Sequence, residues 1–214
     1  MIYKVYLIDG DNGISLLEAT LKSIKEDIID DKVITDFFKV TNQTIDDIQN
    51  AMSKGKKVEE IMRVIESEES IIVLYYHPLS RVLFCSISDA DDDVVKIKNI
   101  ISKIGNRFWK KHQSDLENYR TTTEKSLFLS FVADIENLTV GGRVAEVFPK
   151  LLIVKSVLEK ILTMGLIDEF EFKVALQCNG KNSPLKISRR YKDKSRLDIE
   201  KTLNKLVQLD IVKV

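Results

Sequence analysis

Cysteine is scarce in this chain: two in 214 residues, Cys85 and Cys178, far apart and each inside an apolar pattern. That spacing offers no disulfide framework. Buried free thiols are the expectation, in keeping with a reducing, cytoplasmic setting. Histidine is equally rare. His77 falls in a turn and His112 in a helical run, and no Cys/His/Asp/Glu cluster joins them at the spacing a metal site needs. No apolar run approaches the roughly 20 residues of a membrane span. Met1-Ile-Tyr-Lys4 opens directly on a strand pattern, without the basic-then-apolar pattern of a secretory signal. Any membrane contact is therefore expected to be peripheral.

Catalytic signatures are missing too. The Gly/Asp turn Asp9-Gly-Asp-Asn-Gly13 lacks the lysine and spacing of a phosphate-binding loop. Asp89, Asp91, Asp92 and Asp93 could attract Mg²⁺, but they lack the glycine and the terminal glutamate of a calcium loop, so helix capping is the expectation. No paired carboxylates or nucleophile–base pair emerges. The expectation is a protein that is not an enzyme and needs no cofactor.

What is present is enough apolar matter for a core: 44% hydrophobic and 31% charged residues, with formal net charge +0. The charge is uneven. Residues 1–120 carry 17 Lys+Arg against 21 Asp+Glu, and residues 121–214 carry 16 against 12. Two units with different surfaces fit that split.

The chain is organised around residues 58–119, which read as three strands feeding one long helix. Val58 to Ser70 leads into Ile71–Tyr76, a turn at His77-Pro78-Leu79-Ser80, then Arg81–Ser88. The acidic cap Asp89–Asp93 follows, where carboxylates meet the positive end of a helix dipole. The buried stripe is Val94, Ile97, Ile101, Ile104, Phe108, His112 and Leu116, with Gly105 suggesting close approach to a neighbouring backbone. Upstream, Ile2–Ile8 and Ile14–Leu21 make a hairpin. A helix over 31–52 is capped by Asp30 or Asp31, ended by Lys54-Gly55, and faces the core with Ile34, Phe37, Phe38, Thr41, Ile45, Ile48 and Met52.

Thr121-Thr-Thr-Glu124 has the form of a capping box for a further helix, with Leu127 or Phe128, Phe131, Ile135 and Leu138 inside. Gly141-Gly142 breaks the pattern and marks the boundary. A connecting helix opens at Pro149, with Leu151, Val154, Leu158, Ile161 and Leu162 on one face, and closes at Gly165. The tail reads as a helix over 168–177, a short helix from Pro184 to Tyr191, a third helix from the capping box Ser195–Asp198 to Leu209, and a terminal strand at 211–214. That is the order of a winged helix-turn-helix without a full wing. The domains expected are 1–140, a connecting helix over 141–166, and 167–214.

Over residues 2–140 the order is β-β-α-β-β-β-α-α. With Glu59-Glu60-Ile61 ahead of a strand, the Ile71–Ser88 hairpin, the acidic cap and Ile104-Gly-Asn-Arg-Phe108, the chain resembles longin-like and roadblock-like proteins. The resemblance implies an α+β domain, a five-stranded antiparallel sheet flanked by helices. It also implies a protein–protein interaction role as a small-GTPase partner or vesicle-trafficking subunit, as a homodimer or with another longin-like subunit. The family has no catalytic residues to carry over. The all-helical winged-helix-like tail is not its usual attachment.

Two candidate surfaces follow from the residues. Lys186, Arg189, Arg190, Lys192, Lys194 and Arg196 form a basic patch with only Asp193 against them. Nucleic acid, an anionic membrane surface or an acidic protein would each be attracted, and a solvated face is the plain alternative. Against base reading, Asp198 and Glu200 sit on the third helix. Trp109, beside Phe108 and followed by Lys110-Lys111, is either an exposed partner anchor or the edge of the core stripe.

Overall fold

The computed structural model describes residues 1–21, 31–55, 58–67 and 69–214. The chain divides into two compact units, Met1–Ala145 and Glu146–Val214.

The first unit is α+β. Its strands are β1 (Ile2–Asp9), β2 (Ser15–Thr20), β3 (Ile61–Glu66), β4 (Ser70–His77) and β5 (Val82–Asp89), in the order β2-β1-β5-β4-β3. Every neighbouring pair is antiparallel. Every residue of β4 and β5 is buried. The reason is that helices cover both faces of the sheet, which removes the polar-out alternation. On one face Leu7, Val73, Tyr75 and Phe84 meet Ile97, Ile101, Ile104 and Phe108 of α2 (Val94–Thr122), joined by Phe131 and Ile135 of α3 (Phe131–Thr139). On the other face lies α1 (Asp31–Ser53). Its Phe37 ring sits 5.0 Å from Tyr6, and its Thr41 is buried against the sheet with Phe37 and Ile48.

Several local expectations change in the structure. Phe38 is 53% exposed, while Thr44 joins the buried face of α1. The Asp30 cap and the Ile34 side chain lie outside what the structure describes. Gly105 does approach its neighbours closely, but they are side chains. A Cβ there would stand 2.8 Å from Tyr75 Cε1 and 3.3 Å from Phe84 Cε2.

Thr121-Thr-Thr-Glu124 starts no helix. Thr121 and Thr122 donate their hydroxyls to the Asn118 carbonyl at 2.7 and 2.9 Å, so both extend α2. Thr123, at φ 61, ends α2 through its N–H to Tyr119 O at 2.7 Å. A 3₁₀ turn, Lys125–Phe128, then leads to α3.

Gly141-Gly142 breaks the helix as its composition suggests, but the turn folds back onto β1. Gly142 O accepts from the Ile2 N–H at 2.6 Å, and Asp93 N–H donates to Ala145 O at 3.0 Å. The turn therefore belongs to the first unit.

The second unit runs β6 (Lys150–Leu151), α4 (Lys155–Thr163), α5 (Glu169–Gln177), α6 (Pro184–Ser188), α7 (Arg196–Gln208) and β7 (Val212–Lys213). The helix expected from Pro149 begins only at Lys155. Lys150 and Leu151 pair antiparallel with Lys213 and Val212, and Leu151 N–H donates to Cys178 O at 2.6 Å. Backbone committed to those partners cannot close helical turns. Leu158, Val174, Ile187, Ile199, Leu203, Leu206 and Ile211 make the core. The capping box at Ser195–Asp198 forms as read. A second one joins Asp168 and Glu171 at the start of α5.

Candidate interaction surfaces

Trp109 lies on α2, half-buried and packed against the core of the first unit. Its ring centroid is 6.4 Å from that of His77, which is only 4% exposed. The His77 Nδ1 and the Ser80 hydroxyl lie 3.0 Å apart, closing the β4–β5 turn. Burial lowers the affinity of His77 for a proton, and Glu60 and an Asn106 hydrogen bond pull the other way. The structure thus gives Trp109 a packing role on one face while leaving the other open.

The basic patch is gathered in one stretch of the second unit. Lys186 is on α6, Arg189 ends it, Arg190, Lys192 and Lys194 lie in the following turn, and Arg196 opens α7. All but the half-buried Arg196 are exposed. Three of the six are engaged within the fold, Arg196 among them. Arg190 Nη1 donates to Gln177 Oε1, and the Lys194 ammonium stands 5.0 Å above the Phe170 ring. The same ring holds Tyr191 edge-on at 5.4 Å, so Tyr191 is not free to stack on a base.

The start of α7 is not an open anion site. Ser195 Oγ accepts from Asp198 N–H at 3.1 Å, and the Asp198 carboxylate accepts from Ser195 N–H at 3.0 Å. Hydrogen bonds from Ser195 hold the Asp198 carboxyl below its usual range. Farther along, Lys205 Nζ donates to both Glu171 carboxylate oxygens, at 2.8 and 2.7 Å. Two positions that would read bases are thus committed to the fold.

The acidic cluster caps and braces. Asp93 Oδ1 accepts from Val95 and Lys96 N–H at 3.0 and 3.1 Å. Asp89 accepts from the Tyr3 hydroxyl at 2.8 Å and from Asp91 N–H at 3.0 Å. Asp92 pairs with the Met1 ammonium.

One charged group was not anticipated. Arg120 ends α2 beside the β1–β2 and β4–β5 turns, 3.9 Å from Asp9 and 3.5 Å from Asp11, and Arg81 is 3.1 Å from Asp11. Asp9 is 1% exposed, and burial pushes its carboxyl up from the usual range, against hydrogen bonding from Asp11 and the pull of Arg120 and Arg81. The sequence shows a Gly/Asp turn at 9–13, and nothing local to it signals an arginine so far along the chain.

No protein-family model matches this sequence, and no curated protein matches it significantly.

Proposed function

We propose that this is a non-enzymatic interaction protein whose first unit is a longin-like or roadblock-like domain. It would act as a regulatory subunit for a small GTPase or for a trafficking-type complex. The observation that carries this reading is the arrangement of that unit. An antiparallel sheet in the order β2-β1-β5-β4-β3 has α1 on one face and α2 with α3 on the other, in the element order the family resemblance implies. The partner is a small GTPase, another longin-like subunit or a second copy of the chain. The test is retention of purified GTPases of the host, loaded with GDP or a non-hydrolysable GTP analogue, on immobilised protein at high salt. Light scattering gives the oligomeric state. A strictly monomeric protein that retains no GTPase in either state sinks the proposal.

A second reading rests on the second unit, whose helix order resembles a winged helix-turn-helix and whose turn carries the basic patch. There it would bind nucleic acid through the phosphate backbone, since Asp198 and Lys205 are committed within the fold. Duplex DNA retention that falls steeply with salt and disappears in Arg189→Glu/Arg190→Glu supports it. Unchanged retention in that variant removes it.

A further inference from the structure

The exposed side of α2 carries a pattern neither reading uses. The first unit is acidic, with 19 Lys+Arg against 24 Asp+Glu over residues 1–145, yet residues 94–114 hold six Lys/Arg and no Asp or Glu. Five of the six, Lys96, Lys103, Arg107, Lys110 and Lys111, are exposed, and Lys98 is half-buried. At 3.6 residues per turn these five share an arc of about 100° and span roughly 22 Å of helix. Ile97, Ile101, Ile104 and Phe108 bury another side of the same turns. The row ends where the helix does its bending: His112 has non-helical φ −122, ψ 21, and acids return beyond it at Asp115 and Glu117.

Three of the five exposed cations are paired at home, but they share two carboxylates. Asp134 on α3 takes Arg107 at 3.1 Å and Lys111 at 2.6 Å, and Asp93 takes Lys96 at 3.5 Å. Lys103 and Lys110 have no carboxylate partner among the described residues. The five cations thus meet two carboxylates, and the surplus faces solvent.

We infer that this row is a docking surface for an anionic membrane, held by lipid headgroup phosphates and carboxylates. The charge calls for a polyanion, and the shape and chemistry select which. The row is straight and lies on the outer side of one helix, as a planar partner requires. Four of the five are lysines, mobile point charges suited to a diffuse field of headgroups rather than to the fixed two-pronged recognition that arginine provides. Basic faces of this kind hold proteins at acidic lipid leaflets through additive, salt-screened attraction. The inference does not depend on the protein partner proposed above.

The test is co-sedimentation of the full chain with vesicles of phosphatidylcholine alone or mixed with phosphatidylserine, at low and high salt. The expected result is binding to the mixed vesicles only, lost at high salt. Lys103→Glu/Lys110→Glu weakens it about tenfold or more, while Arg189→Glu/Arg190→Glu in the second unit leaves it intact. Both α2 positions are exposed, and circular dichroism verifies that the variant folds. Absence of binding to the mixed vesicles overturns the inference. So does binding that the α2 variant leaves unchanged, or duplex DNA being held more tightly than vesicles through the same two lysines. GTPase retention run on the α2 variant separates this result from the proposed function: an unchanged partner with lost vesicles supports the membrane assignment.

Discussion

Arg120 Nη2 donates to the carbonyl of Ser80 at 2.8 Å, tying the end of α2 to the β4–β5 turn. Because Arg120 also lies beside Asp9 and Asp11, its removal leaves two largely buried carboxylates with, among the described residues, Arg81 as the remaining paired cation. Arg120→Ala is expected to lower stability by about 1–3 kcal/mol, the range for orphaning buried polar groups. Urea unfolding followed by circular dichroism measures it, and an unchanged midpoint would show that the cluster is solvated.

Asp9 gives a pH dependence of defined sign. Its carboxyl binds a proton more tightly in the folded state than in the unfolded state. Its contribution to stability is therefore fully present below the unfolded carboxylate pKa, about 3.9, and is lost as pH rises through the folded value. Asp9→Asn cannot titrate, so its stability relative to the parent should rise between pH 4 and pH 7. Paired unfolding curves at the two pH values decide this, and a relative stability that falls instead contradicts the burial-driven shift.

Both thiols are sealed. Burial pushes Cys178 up to about 12, and Cys85 still further. Since the thiolate is the reactive form, the native protein should show no fast reaction with a thiol reagent at pH 8. Denaturant should release two equivalents, one from each of Cys85 and Cys178. Rapid labelling of the folded chain would contradict their burial.

Two of the tight glycines, Gly142 and Gly105, should differ in what they tolerate. At Gly142, φ is +87 and an added Cβ would lie 2.3 Å from the Ile2 backbone oxygen. Neither the strain nor the clash can relax cheaply, and Gly142→Ala should cost about 2 kcal/mol or more. At Gly105 the obstacles are the Tyr75 and Phe84 rings, and helix propensity returns up to about 1 kcal/mol, so Gly105→Ala should cost less. Thermal melts of the two variants rank them, and the reverse order would refute this account.

Much of the architecture is legible in the sequence because it is encoded over short distances. The apolar runs at 71–76 and 82–88 become β4 and β5, and the helical spacing from Ile97 to Leu116 becomes the buried stripe of α2. Ser195 and Asp198, three residues apart, form the cap at which α7 starts. The basic turn at 186–196 also follows from local order, because α6 and α7 flank it directly. Tertiary structure decided the rest. Lys150 and Leu151 are a strand because Val212 and Lys213 lie alongside, a pairing that overrides the helical spacing after Pro149. Thr121 and Thr122 extend one helix instead of starting another, since their hydroxyls find Asn118 behind them. The lysines of α2 are plain in the sequence. That they form one exposed row was decided by the arc of the helix that packs on the sheet. Periodicity and caps act within a few residues, whereas pairing, exposure and the meeting of Arg120 with Asp9 depend on which distant segments the core brings together.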